Sequence, residues 1–172
     1  MVSESLNSLE WRESFSVDHP GLDEEHRAML RAVNAIVATN GADRGSHELK
    51  RLCEALRKAA LTHIEHENAL LGMILHEPAT GGLAPEFLKV MSEAVVSEHI
   101  EEHRRWLGDL DSLIHRLCSS FDVQWQVLRL ELCSWFVDHA VGYDAHLKAV
   151  FQAMENDTPD VYRRACGFPQ KS

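Results

Sequence analysis

Residues 62–71 read THIEHENALL, a polar segment followed by an apolar run, and they decide which face of their helix points inward. His63 and Glu67 stand four residues apart. At ~100° per residue an i, i+4 pair lies about 40° apart around a helix, so both side chains reach the same point in a bundle interior. That is the geometry of metal ligands, although one isolated pair of this kind is more typical of a surface ion pair or a core histidine.

Proline and glycine divide the rest of the chain into helical segments. Apolar residues recur at helical spacing between the clusters HPG, NGADRG and EPATGGLAP. The pattern predicts helices near 22–39, 46–76, 84–118 and 122–155. Asp23 or the residues before it could open the first helix, Ser46 the second, and Ser120 or Asp122 the fourth. Because the connections are short, we expect an all-α, antiparallel up-down-up-down four-helix bundle. It would form a single domain over 1–172, with an N-terminal arm (1–20), the bundle (21–155) and a short C-terminal tail (156–172).

Charge and composition exclude several classes of function. The chain has a net charge of -10 and no basic cluster, so we expect neither nucleic acid nor an anionic membrane as a partner. No apolar run has the length of a membrane span, and the start MVSESLNSLE lacks the pattern of a secretion signal, so we expect a cytoplasmic protein. The four cysteines form no CxxC pair and are predicted to be buried and reduced.

Eleven histidines are many for 172 residues, and several share a helix face with another ligand-type residue. The third predicted helix carries a histidine pair four residues apart, the fourth carries a histidine followed by an aspartate, and the first opens with a histidine. In an antiparallel bundle, residues at one height lie equally far from the connecting turn. The midpoints in sequence between the ligand-type residues of successive helices fall near residues 45, 83 and 121, each inside a predicted turn. One layer therefore holds five imidazoles and two carboxylates, which suits two metal ions bridged by the carboxylates.

These residues resemble the hemerythrin family, and its bacteriohemerythrin branch in particular, over about residues 11–151. The resemblance is carried by WRESFSV (11–17), LDEEH (22–26), HIEHE (63–67), HIEEH (99–103) and WFVDHAVGYD (135–144). All seven ligand positions of the family pattern are filled, by His26, His63, Glu67, His99, His103, His139 and Asp144.

The resemblance implies two non-haem iron ions bridged by Glu67, Asp144 and a solvent-derived oxygen. One iron would take His99, His103 and His139. The other would take His26 and His63 and keep an open position for dioxygen. His139 and Asp144 are five apart, which a regular helix would separate by about 140°, so we predict a local widening such as a π-bulge near Gly142.

Other residues are predicted to surround the centre rather than to bind metal. Met29, Trp135, Phe136 and Ala140 are expected to line an oxygen pocket. His66 is predicted to flank the centre, and Tyr143 is expected to have its hydroxyl at the bundle surface, although it could also bond a metal ligand. The remaining histidines are expected to be solvated or capping, and an acid among Glu98, Glu101 and Glu102 could orient a ligating imidazole.

The number of residues from Glu67 to His99 is about twice that of the common family pattern. The second and third helices are therefore predicted to run about four turns past the metal layer, at ~3.6 residues per turn. Their tips are strongly apolar, and we expect either the two termini to cover them or a homodimer to form through these extended helices.

Three functions remain open on this basis. The first is reversible dioxygen binding at a di-iron centre for storage, delivery or sensing. The second is a di-iron enzyme acting on peroxide, dioxygen or nitric oxide, and the third is iron handling. The first is favoured because no proton-delivering group is evident beside the open position.

Overall fold

The computed structural model describes residues 8–39, 46–76, 93–119, 124–145 and 147–148. A 3-10 turn at Glu13–Phe15 precedes four α-helices, and a π-helical segment continues the fourth. The α-helices are α1 (Pro20–Ala38), α2 (His47–His76), α3 (Glu93–Ser119) and α4 (Trp125–Val137), and the π-helical segment is Asp138–Tyr143. Because these ranges contain no strand, the predicted all-α class is confirmed for the described residues.

The start of α1 differs slightly from the sequence prediction. The N-cap is His19, one of the residues before Asp23, and its Nδ1 accepts a hydrogen bond from the amide of Leu22 at 3.2 Å. Pro20 follows at the first helical position, where its missing N–H costs nothing. Ser46 opens α2 as predicted, because its Oγ accepts from the amide of Leu49 at 3.1 Å.

The fourth helix begins later than the sequence pattern suggested. Its N-cap is Gln124, which makes no side-chain cap hydrogen bond. Ser120 and Asp122, the predicted caps, lie outside the described residues, and so does the predicted part of this helix beyond Lys148.

The helices form a ring around one apolar core. Helix α1 packs on α2 and α4, and α3 packs on the other side of the same two helices. An apolar stripe on α2 is buried in that core and consists of Leu49, Cys53, Leu56 and Ala60. Burying such a stripe supplies most of a helix's stability, which explains why the hydrophobic period located the helices well.

The N-terminal arm is tied to α1 by specific contacts. The amide of Leu9 donates to Oδ1 of Asn34 at 2.7 Å, and Nδ2 of Asn34 donates back to the carbonyl of Leu9 at 2.8 Å. Closer to the helix, the Ser16 hydroxyl and the Val17 amide donate to the two oxygens of Asp23, at 2.7 and 2.8 Å. The arm therefore holds the segment just before α1 in a fixed position.

Two predictions concern residues that the structure does not describe. Residues 77–92, between α2 and α3, contain part of the predicted apolar tips, and residues 149–172 contain the predicted end of the last helix and the tail. The described part of the tips includes Leu70, Leu71 and Val96, which are buried. The homodimer through these tips stays a prediction. Within the ranges the structure describes, no helix is long and apolar enough to cross a bilayer.

Candidate metal centre

Every helix contributes to one buried cluster of imidazoles and carboxylates. Helix α1 supplies one histidine, α2 a histidine and a glutamate, α3 two histidines, and the π-helical segment with the residue after it a histidine and the aspartate. Of these seven side chains, His99 is the most exposed, with an exposed fraction of 9%. The cluster is the set predicted from the sequence: His26, His63, Glu67, His99, His103, His139 and Asp144.

The π-helical segment brings His139 and Asp144 to the same side of the fourth helix. The amide of Asp144 donates to the carbonyl of His139, five residues back, at 3.2 Å. This i, i+5 bond defines the wider π turn and removes most of the angular offset of a regular helix. The predicted widening near Gly142 is confirmed.

The ligand atoms gather in two groups that share Asp144. In the first, Oδ2 of Asp144 lies 2.9 Å from Nε2 of His26 and 3.1 Å from Nε2 of His139. Nε2 of His63 completes this group, 3.1 Å from Nε2 of His139. The resemblance placed His139 with the α3 histidines instead, so the observed grouping differs from that expectation.

Glu67 and the α3 histidines form the second group. Oε2 of Glu67 lies 2.8 Å from Nε2 of His103 and 3.3 Å from Nε2 of His99. The same oxygen is 3.6 Å from Nε2 of His63, a member of the first group. Glu67 and Asp144 therefore both face the space between the groups, where a bridging carboxylate would be needed.

The outer nitrogens of the histidines show which way the ring lone pairs point. Nδ1 of His26 lies 2.7 Å from the carbonyl oxygen of Phe15, and because a carbonyl only accepts, this nitrogen carries the hydrogen. Nδ1 of His103 lies 2.9 Å from Oδ1 of Asn68. In a neutral ring protonated at Nδ1, the Nε2 lone pair then points into the cluster, as in metal-bound histidines.

Hydrogen bonds do not satisfy every carboxylate oxygen in the interior of the cluster. A neutral His26 that carries its hydrogen on Nδ1 has a lone pair on Nε2. That lone pair faces a carboxylate oxygen of Asp144, and the two repel each other. Oε1 of Glu67 and Oδ1 of Asp144 are buried and accept no hydrogen bond from the described residues. Inward lone pairs and unpaired anionic oxygens require positive charge between them. Imidazole nitrogens with carboxylate oxygens suit first-row divalent ions such as iron, so the residues fit the metal.

Burial and neighbouring charges set the protonation of the cluster. Burial and the charge of Asp144 oppose ionisation of Glu67, yet hydrogen bonds from His103 and His99 lower the Glu67 pKa to about 2. Burial lowers the pKa of His139 to about 3. Burial also opposes a charge on His63, but Asp144 and Glu25 outweigh it and raise the His63 pKa to about 10. Burial opposes ionisation of Asp144 as well, but the neighbouring His139, His26 and His63 hold its pKa well below the usual value. At neutral pH both carboxylates are therefore ionised, as metal ligands must be.

Sequence reasoning missed the residues that orient the histidines. Glu25 reaches across to α2, with one oxygen 3.3 Å from Nδ1 of His63 and the other 2.9 Å from Nδ1 of His66. Asn68 has the same role for His103. Glu25 directly precedes His26 in the sequence, and Asn68 directly follows Glu67. This adjacency to a predicted ligand is the one signal that could have found them. Glu101 and Glu102, considered for this role, instead form exposed ion pairs with the arginines at 104 and 105.

The flanking histidine contacts the surroundings of the centre rather than its interior. His66 bonds Glu25, and its ring packs edge-on against that of His19, with centroids 5.6 Å apart. Tyr143 is 36% exposed and lies beside an outer groove, which agrees with the expected surface position.

The four residues predicted to line an oxygen pocket are all buried, although a pocket role stays a prediction. Phe136 packs edge-on against the His26 ring, with centroids 6.3 Å apart. Trp135 stacks on Trp106, which was not predicted, and Trp106 stacks on His139. The four are Met29, Trp135, Phe136 and Ala140.

Comparison with known proteins agrees with this geometry. Residues 19–151 match the model of the hemerythrin HHE cation binding domain. The match covers most of the chain and includes all seven clustered residues. No curated protein sequence matches the chain.

Proposed function

Because the chain belongs to the hemerythrin family, we propose that it binds dioxygen reversibly at a non-haem di-iron centre, for storage, delivery or sensing. The observation that carries the proposal is the buried cluster itself, with inward Nε2 atoms and two unpaired carboxylate oxygens. Two ferrous ions bound there would supply the two electrons that oxygen binding takes up. Glu67, Asp144 and a solvent-derived oxygen would bridge them, and the five histidines would complete their coordination.

The surroundings of His26 support a carrier. Phe136 and Met29 are fully buried, and Phe15, against which Phe136 packs at 5.3 Å between ring centroids, is 3% exposed. Apolar side chains on this side of the cluster exclude water. A dry pocket slows the loss of bound dioxygen as peroxide.

The position of nearby acids also favours a carrier over an enzyme. General acid catalysis needs a proton donor within hydrogen-bond reach of the reacting atoms. Glu25 bonds the outer nitrogen of His63, and His66 bonds Glu25. Both contacts lie on the side of His63 away from its metal-facing Nε2. Among the described residues they are therefore poorly placed to protonate a ligand bound inside the cluster.

The antiparallel up-down-up-down order is part of the proposal. Arg116, late in α3, pairs with Glu131 in the middle of α4, and Trp106, earlier in α3, pairs with Trp135 near the end of α4. Contacts that run in opposite directions along two helices support an antiparallel pair. The extended second and third helices would then project beyond the metal layer.

An oxygenation experiment tests the function. The protein is loaded anaerobically with two equivalents of ferrous iron, mixed with air and followed in the visible range. A carrier gains a charge-transfer band that disappears on degassing and returns with air. Rapid, irreversible passage to the ferric form, or oxygen release from added hydrogen peroxide, would instead indicate the di-iron enzyme.

A further inference from the structure

We propose that Trp106 positions the imidazole of His139 and, together with Trp135, separates it from an outer groove. The inference rests on the proposed metal centre, because it concerns how one of the metal-facing histidines is held. It does not depend on which gas or oxidant reacts there.

The three aromatic rings form a continuous stack. The centroids of His139 and Trp106 are 3.7 Å apart with an interplanar angle of 18°. Those of Trp106 and Trp135 are 4.2 Å apart at 3°. Since two rings cannot share one face of an indole at these distances, Trp106 lies between the other two.

Reciprocal hydrogen bonds fix the planes of both indoles. Nε1 of Trp106 donates to the carbonyl of Trp135 at 3.0 Å, and Nε1 of Trp135 donates to the carbonyl of Trp106, also at 3.0 Å. The pair ties α3 to the last turn of α4, directly before the π-helical segment that carries His139. A rotation of either ring would break a buried hydrogen bond, so the face presented to His139 is rigid.

The ring of His139 is held by aromatic packing, whereas three of its neighbours are held by polar contacts at their outer nitrogens. The outer nitrogens of His26, His63 and His103 each bond an oxygen that fixes the ring. The flat contact with Trp106 restrains the orientation of the His139 ring by packing.

The same indoles are a barrier to water. They are 5% and 7% exposed, and they line a groove of about 400 Å³. The rest of its lining is mostly polar and includes Glu102, Arg105, Asp109 and Asp138. Removing the indole of Trp106 would therefore open the face of a metal-facing imidazole to this outer groove.

Two variants separate the role of the ring face from that of its hydrogen bond. Trp106→Leu removes both, whereas Trp106→Phe keeps an aromatic face against His139. Trp125→Phe is the matched tryptophan control, since it lies fourteen residues before His139, about 21 Å along the helix at ~1.5 Å per residue. Leu117→Ala is the control for general loss of packing, because this side chain is fully buried further along α3.

The first readout needs no metal. In the proton spectrum of the metal-free protein, the ring resonances of His139, assigned with His139→Gln, should lie upfield because of the stacked indole. Trp106→Leu should move them towards the position of a free imidazole. Trp106→Phe, Trp125→Phe and Leu117→Ala should leave them close to their original place.

The second readout is the rate at which anaerobically bound ferrous iron is lost to a chelator. Substitutions that release a metal-ligand histidine typically cost about 10-fold or more in affinity, so Trp106→Leu should lose iron about 10-fold faster, and the other three variants at nearly the original rate. Unchanged resonances and an unchanged rate in Trp106→Leu, or equal changes in Leu117→Ala, would overturn the proposal. Neither readout uses oxygen, so a protein that binds iron but not oxygen would contradict the proposed function alone.

Discussion

Replacing Asp23 by alanine should detach the N-terminal arm from α1. Its carboxylate accepts hydrogen bonds from the Ser16 hydroxyl at 2.7 Å and from the Val17 amide at 2.8 Å, in a site where the side chain is 9% exposed. The arm matters for the centre because the carbonyl of Phe15, one residue earlier, holds Nδ1 of His26. A local change at Asp23 therefore affects both stability and the metal centre.

The expected cost follows from these two bonds. A hydrogen bond to a charged group contributes about 1.5–3 kcal/mol, and relaxation of the arm towards water returns part of it, so Asp23→Ala should lose about 3 kcal/mol. For a chain of this size that corresponds to a drop of about 10 °C in Tm. The control is Glu24→Ala, in the same helical turn, which loses only an exposed ion pair with Arg31, about 0.5 kcal/mol.

Urea unfolding of the metal-free proteins measures the free energies. Iron release to a chelator then reports on His26 and should be faster in Asp23→Ala than in Glu24→Ala. If the two variants unfold at the same urea concentration, the arm does not stabilise the fold in the way described. If only stability falls and iron release is unchanged, the link from Phe15 to His26 is wrong.

Three further predictions follow from single positions. Asn34→Ala should lower the free energy of unfolding by about 1–2 kcal/mol in urea, because both hydrogen bonds to Leu9 are lost. Gly142→Ala should raise it by about 0.5–1 kcal/mol with iron content unchanged, since a Cβ there meets no atom within 4 Å and glycine is costly in helical segments; a fall would contradict this. Burial raises the pKa of Cys53 from 9.0 to about 12, so its contribution to stability is complete below pH 9 and is lost as the pH rises towards 12; Cys53→Val should flatten that decline in pH-dependent unfolding, and an equal decline would refute the assignment.

The hydrophobic period and the positions of proline and glycine were sufficient to predict four helices. Each buries one apolar face, and that requirement leaves a direct trace in the sequence. The widening at Asp144 was predictable for a similar reason, because two residues five apart can share a face only on a wider turn. Helix starts were predicted less sharply: Asp23 and the residues before it were all candidate caps of α1, and the cap is His19.

The contacts around the histidines could not be predicted in the same way. Glu25 orients His63 from a different helix, and Trp106 stacks on His139 across the interface of α3 and α4. Such pairs depend on the relative rotation of two helices, which spacing within one helix does not determine. The grouping of His139 with His26 and His63 could not be predicted for the same reason. The sequence places the histidines in one layer, but it does not determine which neighbours each ring faces.

Oxygen uptake per iron is the most direct test of the central claim. The anaerobic protein, loaded with ferrous iron and titrated with dissolved oxygen at an electrode, should take up one dioxygen for each two irons. It should return that oxygen under argon, with its iron content unchanged. Uptake that is not returned, or that continues beyond this ratio, would contradict reversible binding at a di-iron centre.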